Sequence, residues 1–222
     1  MSLNSAFDVL TIGHSNIPAD RFVALLRAAG VGAIADVRTT PFSRFCPWFT
    51  VKNLAPLLEQ NGIGYLPYGA ALGGRPHNPE LYCDGVADYE AMARQDEFRA
   101  GLDRLTADAA RVRPRGCICL MCAEREPLDC HRCLLVARAL AARGLPVGHV
   151  LHDGAIEPHA ATEHRLFALA GDEGDLFAAG LEQRIAAAYR RRARAVAYRA
   201  QGTKATKETK ATQGARAARE SR

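Results

Sequence analysis

A chain of 222 residues, 48% hydrophobic and 24% charged, has room for one sizeable domain with an appendage, or for two small ones, and has the composition of a protein with a real core. No run of 18 apolar residues occurs, which excludes a membrane-spanning helix, and "MSLNSAFDVL" lacks the basic and apolar regions of a secretory signal. The net charge of +5 is unevenly spread, because residues 184–222 carry 12 Lys/Arg against Glu208 and Glu220, a net of +10 that leaves −5 for residues 1–183.

The first element is a buried strand, Val9 to Ile12, whose carboxyl end is Gly13-His14-Ser15. In "IPADRFVALLRAAG", Phe22, Leu25, Leu26 and Ala29 share one helical face, Pro18 stands near the start and Gly30 is the stop. "VGAIADVRTTP" is a second buried strand ending at Asp36-Val37-Arg38, so the first 40 residues form a βαβ unit with parallel strands. "TVKNLAPLLEQNG" reads as a short helix that Pro56 confines to the residues after it, with Gly62 as cap. "IGYLPY" is a third strand. The Gly/Pro-rich stretch "GAALGGRPHNPELYCDGV" is too long for a simple connector and reads as a functional flap. Residues 88–112 are helical in period, in two pieces around Gly101. "GCICLMCAE" is a fourth strand, apolar on both faces. "CHRCLLVARALAARG" is a helix capped by Asp129 in front and Gly144 behind, and "PVGHVLHDG" is a fifth strand ending at His152-Asp153-Gly154. From Arg184 the chain reads as a basic helix and then as a Lys/Thr/Ala/Gln tail without apolar periodicity, which is expected to be disordered. The expected architecture is an α/β domain over residues 1–183, with an open, mostly parallel sheet of about five strands and helices on both faces. A basic C-terminal helix and tail over residues 184–222 completes it.

Five of the seven cysteines lie in "CICLMCAEREPLDCHRC", residues 117–133. An odd, clustered set suits free thiols or metal ligands in a reducing compartment, so a cytoplasmic location is expected. Two CxxC pairs have the spacing of a four-thiolate zinc site, but strand alternation sends Cys119 and Cys122 to opposite faces, which argues against one. Cys117, Cys119 and Cys133 then read as small core hydrophobes. Cys122 and Glu124 stand at a strand end, and Cys130-His131-Arg132 open the next helix, whose N-terminus favours anions and depresses a thiol's pKa. A Cys/His pair there serves as an activated nucleophile, as a base with a structural thiol, or as two ligands of a metal. The bland alternative has His131 bonding loop carbonyls and Glu124 pairing with Arg132.

"TIGHSN", "DVRTTPFSR", "LGGRP", "LMCAEREPLDCHR" and "HVLHDG" together resemble the bacterial domain-of-unknown-function 488 family, from about Val9 to Gly154. The Cys-Ala-Glu…Cys-His-Arg element is the most specific part, and in it the cysteines are Cys122 and Cys130. The resemblance implies an α/β fold and a shared polar site.

Ligands of open parallel sheets bind outside the carboxyl ends of the strands, and every strand here ends in polar residues. One pocket is therefore expected to gather His14, Ser15, Asp36, Cys122, Glu124, Cys130 and His131 as catalytic groups. Arg38, Arg44, Tyr68, Arg75, Arg132, His152 and Asp153 are expected to hold the substrate. Asp36 with Arg38 has a plain alternative as a surface ion pair of ~0–1 kcal/mol. Glu124 or Asp36 is the candidate base, and His14 or His131 the acid or proton shuttle. The arginines suit phosphate or carboxylate, whereas no Gly-x-Gly-x-x-Gly and no Walker lysine supports a dinucleotide cofactor or ATP hydrolysis. No cofactor is expected; if a metal binds, it is zinc or iron on Cys122, Cys130 and His131. In "DVRTTPFSRFCPWF" the aromatics Phe42, Phe45, Trp48 and Phe49 either stack bases or anchor an irregular loop, and the pattern favours anchoring.

Three functions follow from these parts. The first is an enzyme performing hydrolysis or group transfer on an anionic small molecule or nucleic acid, namely a nucleotide or nucleic-acid base. The second is a Cys/His metal-binding or redox-sensing protein. The third is a nucleic-acid-binding adaptor acting through the basic tail.

Overall fold

The computed structural model describes residues 6–170 and 180–200. In chain order its elements are β1 (Val9–Gly13), α1 (Ala19–Ala28), β2 (Val31–Asp36), α2 (Val51–Gln60), β3 (Gly64–Pro67) and α3 (Gly69–Leu72). The hairpin of β4 (Tyr82–Cys83) and β5 (Val86–Ala87) follows, then α4 (Tyr89–Ala93), α5 (Asp96–Val112) and β6 (Cys117–Cys122). The chain continues through a π-helical stretch, Arg132–Ala137, into α6 (Arg138–Ala142), β7 (Val147–Val150), β8 (Ile156–Pro158), α7 (His159–Ala170) and α8 (Leu181–Val196).

The main sheet has six strands in the order β3-β2-β6-β1-β7-β8; all are parallel except β8, which runs antiparallel to β7. β1, β2, β6 and β7 are buried along their whole length, which is why they read as continuous apolar runs rather than alternating ones. Side-chain alternation divides the core. Leu10, Ile12, Ile34, Cys119 and Met121 pack on one face with Phe22 and Leu26 of α1 and Leu54 and Leu58 of α2. Val9, Ala35, Ile118, Leu120 and Cys122 pack on the other with Leu72, Leu102, Leu105, Leu134, Leu140 and Tyr189. Cys119 and Cys122 thus lie on opposite faces, as period-two geometry requires.

This division positions the site. The chain leaves β1 and β2 toward the face of α1 and α2, but leaves β6 toward the opposite face. Because β6 stands between β2 and β1, the segments that follow diverge at its carboxyl end and open a crevice there. The strand order differs from the 3-2-1-4-5-6 arrangement of dinucleotide-binding folds.

Several local expectations are corrected. Pro56 sits inside an unbroken α2: the hydrogen bond it forgoes is to Lys52, next to the helix start, and burial of Leu54 and Leu58 holds the turn. The break between α4 and α5 falls at Arg94–Gln95 rather than at Gly101, which is buried where a Cβ would lie 2.8 Å from that of Ala71. Asp129 ends a 3₁₀ turn and pairs with Arg192 instead of capping the next helix, whose first turn uses Cys130. The sixth strand, β8, is an edge addition that the five-strand reading lacked. α8 is not a free appendage: Ala188 and Tyr189 are buried against the domain. The tail at 201–222 lies outside the described residues.

Candidate functional site

The crevice is a cavity of about 570 Å³ built mainly from segments that follow three strands and one helix. His14 follows β1, Arg38 to Phe45 follow β2, Gly74 and Arg75 follow α3, and Cys122, Ala123, Glu124, Asp129 and His131 follow β6. Tyr89, Val196 and Tyr198 complete the wall.

Local sequence explains how these groups approach. A Cβ on Gly13 would overlap the carbonyl of Glu124, so only glycine lets the segment after β6 cross β1. A Cβ on Gly74 would stand 2.6 Å from Cγ of His131, so the Gly-Gly-Arg turn lies against the imidazole.

Cys122, Glu124, Cys130 and His131 form the floor. Oε2 of Glu124 accepts from Cys122 Sγ at 2.9 Å and lies 3.0 Å from Cys130 Sγ. His131 Nδ1 lies 3.6 Å from Cys122 Sγ and 3.9 Å from Cys130 Sγ, and Nε2 is 2.9 Å from the Val37 carbonyl. A carbonyl only accepts, so the Nε2 proton is fixed there and Nδ1 faces the thiols. The four ligand atoms lie within 4.8 Å of one another, so the group can hold a metal ion. The thiols divide. Burial pushes Cys122 well above the usual thiol range, and the neighbouring Cys130 adds to this. Burial also opposes ionisation of Cys130, but the Cys122 hydrogen bond and the charges of Arg132 and His131 outweigh it and bring Cys130 well below. The Cys130 sulfur also accepts the Arg132 N–H at 3.4 Å, as a helix N-terminus favours. Burial and the Cys130 charge raise Glu124. His131 is raised: burial works against its charge, and its hydrogen bond to Cys130 with the charges of Cys130 and Glu124 prevails.

On the adjoining wall, Arg38 makes a bidentate pair with Asp36 at 2.9 and 2.6 Å, and also donates to the Phe49 carbonyl at 2.8 Å and to His14 Nε2 at 3.3 Å. Tyr65 donates to the second Asp36 oxygen at 2.8 Å. Asp36 is 1% exposed, so the pair is buried rather than a surface contact, and the carboxylate positions Arg38 instead of meeting a substrate. His14 donates from Nδ1 to the Ser15 carbonyl and stacks on Phe49 at 4.1 Å; burial lowers its pKa to about 4 and keeps it neutral.

Of the expected site residues, His14, Arg38, Arg44, Arg75, Cys122, Glu124 and His131 line the cavity; Cys130 and Asp36 touch that lining from behind. Five others do not line it. Tyr68 is buried, donating to Asp108 at 2.6 Å beneath Arg104. Arg132 is fully buried and donates to the carbonyls of Glu124 and Arg125, so it shapes the loop rather than binding substrate or pairing with the Glu124 carboxylate. Ser15 has a left-handed backbone (φ 46°) and gives its N–H to the Ala123 carbonyl. His152 and Asp153 form the β7–β8 turn, where Asp153 accepts the Ala155 N–H.

The aromatic segment divides as well. Phe49 is buried and Trp48 donates to the Ile17 carbonyl, which is anchoring, while Phe42 (64% exposed) and Phe45 (86% exposed) stand at the cavity, the Phe45 ring beneath the Arg44 guanidinium at 5.7 Å. Tyr198, under Arg75 at 4.7 Å, was not foreseen; no local signal links it to residues 123 positions earlier in the chain. Among the described residues no helix is long and apolar enough to cross a membrane.

No curated protein and no solved structure matches the chain. The sequence profile of the family described as Domain of unknown function DUF488 matches residues 18–139, a segment that holds the βαβ unit after β1, the Gly-Gly-Arg turn and the whole Cys122–His131 cluster. With more than half of its length covered, the chain belongs to the DUF488 family.

Proposed function

We propose that the protein is an enzyme acting on a phosphate-bearing nucleotide or nucleic-acid base, by hydrolysis or group transfer, in the cavity beyond β1, β2 and β6. One observation carries the reading: the same cavity presents arginines (Arg38, Arg44, Arg75), two exposed phenylalanines and an acid–thiol–imidazole floor. Arg44 and Arg75 hold phosphate. Phe42 and Phe45 offer faces on which a base stacks. Glu124, raised toward neutral pH, takes or gives the proton of the reacting group, as a general acid–base needs. Cys122, held as a thiol, is a weak nucleophile, and Cys130, whose pKa is lowered, is buried behind the lining, which favours acid–base over covalent thiolate chemistry.

A second reading is favoured by the fixed tautomer of His131. With Nε2–H held by a carbonyl and Nδ1 facing two thiols and a carboxylate, the cluster has the donor set and outer support of a zinc or iron site.

One experiment addresses both. Purified protein is assayed for metal content and for turnover of a panel of nucleotides and oligonucleotides, with Glu124→Gln and Arg75→Ala beside the wild type. Glu124→Gln is expected to lower kcat by about 10²–10⁴ and remove an acid limb lying above the ordinary glutamate range. Arg75→Ala is expected to act mainly on KM. Turnover unchanged in Glu124→Gln refutes the enzyme assignment. Stoichiometric metal, lost in Cys130→Ser, establishes the second reading, and its absence from protein purified without chelators removes it.

A further inference from the structure

A second polar cluster lies apart from the cavity, inside the core between the sheet and α7. Cys133 from the π-helical stretch, His149 from β7 and His159 from the start of α7 are 0%, 0% and 5% exposed. Cys133 Sγ is 3.9 Å from His149 Nε2, and His149 Nε2 is 2.9 Å from His159 Nδ1. These three atoms, drawn from three elements, lie within 4.8 Å of one another. Hydrogen bonds at both nitrogens of each ring offset the cost of burying the two imidazoles, and the same bonds hold the three donor atoms together.

The far side of each ring is already supported. His149 Nδ1 lies 2.8 Å from the Thr11 hydroxyl. His159 Nε2 lies 3.1 Å from the Tyr189 oxygen, and Tyr189 in turn donates to Glu163 at 2.8 Å. Glu163 accepts the Tyr189 proton, so the Tyr189 oxygen accepts from His159 Nε2–H and the lone pair of His159 falls on Nδ1, the inward nitrogen. Without an ion His149 donates Nε2–H to His159 Nδ1 and accepts at Nδ1 from the Thr11 hydroxyl; with an ion bound it would carry its proton on Nδ1, donate it to Thr11 and turn the Nε2 lone pair inward. That is the outer hydrogen bonding of metal-bound histidine, in which the remote nitrogen is held by an oxygen that is itself held.

From this geometry we propose that Cys133, His149 and His159 bind a single soft monovalent cation, copper(I). Coordination number and charge select it. Thiolate and imidazole are ligands that suit copper(I). No fourth His, Cys, Asp or Glu joins the cluster among the described residues, and three donors satisfy copper(I) where structural zinc takes four. One thiolate neutralises a monovalent ion, leaving no net charge in a dry site next to the buried Arg132, whereas zinc would leave a cation there.

The test is an anaerobic titration of the full chain with copper(I) against a chromogenic competing chelator. It uses a Cys122→Ser/Cys130→Ser background, so that the cavity cluster does not compete. One equivalent is expected to bind; Cys133→Ala is expected to abolish it, and Tyr189→Phe to weaken it about ten- to a hundredfold. If that background does not fold, X-ray absorption of the wild type loaded with one equivalent is expected to show one sulfur and two nitrogen neighbours. Binding that ignores Cys133→Ala, a two-sulfur shell, or zinc outcompeting copper(I) in the background protein would each overturn the proposal. Absence of Cys133-dependent binding would leave these residues a structural hydrogen-bonded chain, and also overturns it.

Discussion

At the scale of single residues, hydrogen-bond partners decide chemical state. His14 and His131 stand on walls of one cavity and are held by carbonyls at opposite ring nitrogens, the first by Ser15 at Nδ1 and the second by Val37 at Nε2. His14 therefore turns an acceptor toward Arg38, while His131 turns Nδ1 toward the thiols. The sequence shows two histidines beside polar neighbours; it does not show which nitrogen is held, because the holding carbonyls belong to distant or bent backbone. Gly74 is a similar case. The Gly-Gly pair reads as a weak anion loop, yet the contact is with a side chain: an added methyl would lie within 2.9 Å of Cβ, Cγ and Nδ1 of His131. Gly74→Ala is expected to fold but to lose about 1–3 kcal/mol in denaturant titration, since the imidazole is tethered to Val37 and cannot swing away freely. Equal stability of the two proteins would show that the turn does not touch the imidazole.

Among elements, α8 changes meaning most between sequence and structure. Its arginines suggest a helix waiting for a phosphate backbone. In the fold Arg190 pairs with Glu90 at 3.2 Å, and Arg192 and Arg194 pair with Asp129 and Asp84. The acidic body and the basic C-terminal segment are thus complementary within one molecule. Past the helix, Tyr198 and Ala200 bond to the β4–β5 hairpin, which places Tyr198 on the cavity wall. Because these pairs are partly exposed, each is worth only ~0–1 kcal/mol and is screened by salt. Replacing Arg190, Arg192 and Arg194 together by Gln is expected to lower Tm by a few degrees at about 50 mM salt and by little at about 500 mM. A loss of Tm that does not depend on salt would mean that the helix docks by its apolar face alone.

For the whole molecule, burial of neutral histidines sets the response to acid. His14 is pushed down to about 4 by burial, and burial also lowers His149 and His159. Each is neutral when folded and takes a proton near pH 6.5 when unfolded, so the unfolded chain binds more protons below that pH. The share of stability due to these three rings is therefore complete above pH 6.5 and declines as pH falls toward 4, with His14 alone contributing of order 3 kcal/mol, whereas His131, raised in the fold, acts in the opposite sense. Urea unfolding between pH 7 and 4.5 is expected to show the decline, and His14→Gln to make it shallower. A flat profile over that range would mean these rings are hydrated.

The apolar runs at 9–12, 31–36 and 117–122, separated by helical periods, were enough to specify an open parallel sheet, because fully buried strands and amphipathic helices leave direct signatures in composition. Alternation within one strand was enough to separate Cys119 from Cys122. The polar residues expected at the rim include seven that line the cavity, since the rim of such a sheet is where its loops must gather. What the sequence left open was which side of the sheet each later segment takes. That choice brings Tyr198 into the cavity and joins Cys133 to His149 and His159. Such contacts join segments distant along the chain, and only the packing of helices against both faces, with no local pattern to record it, decides them.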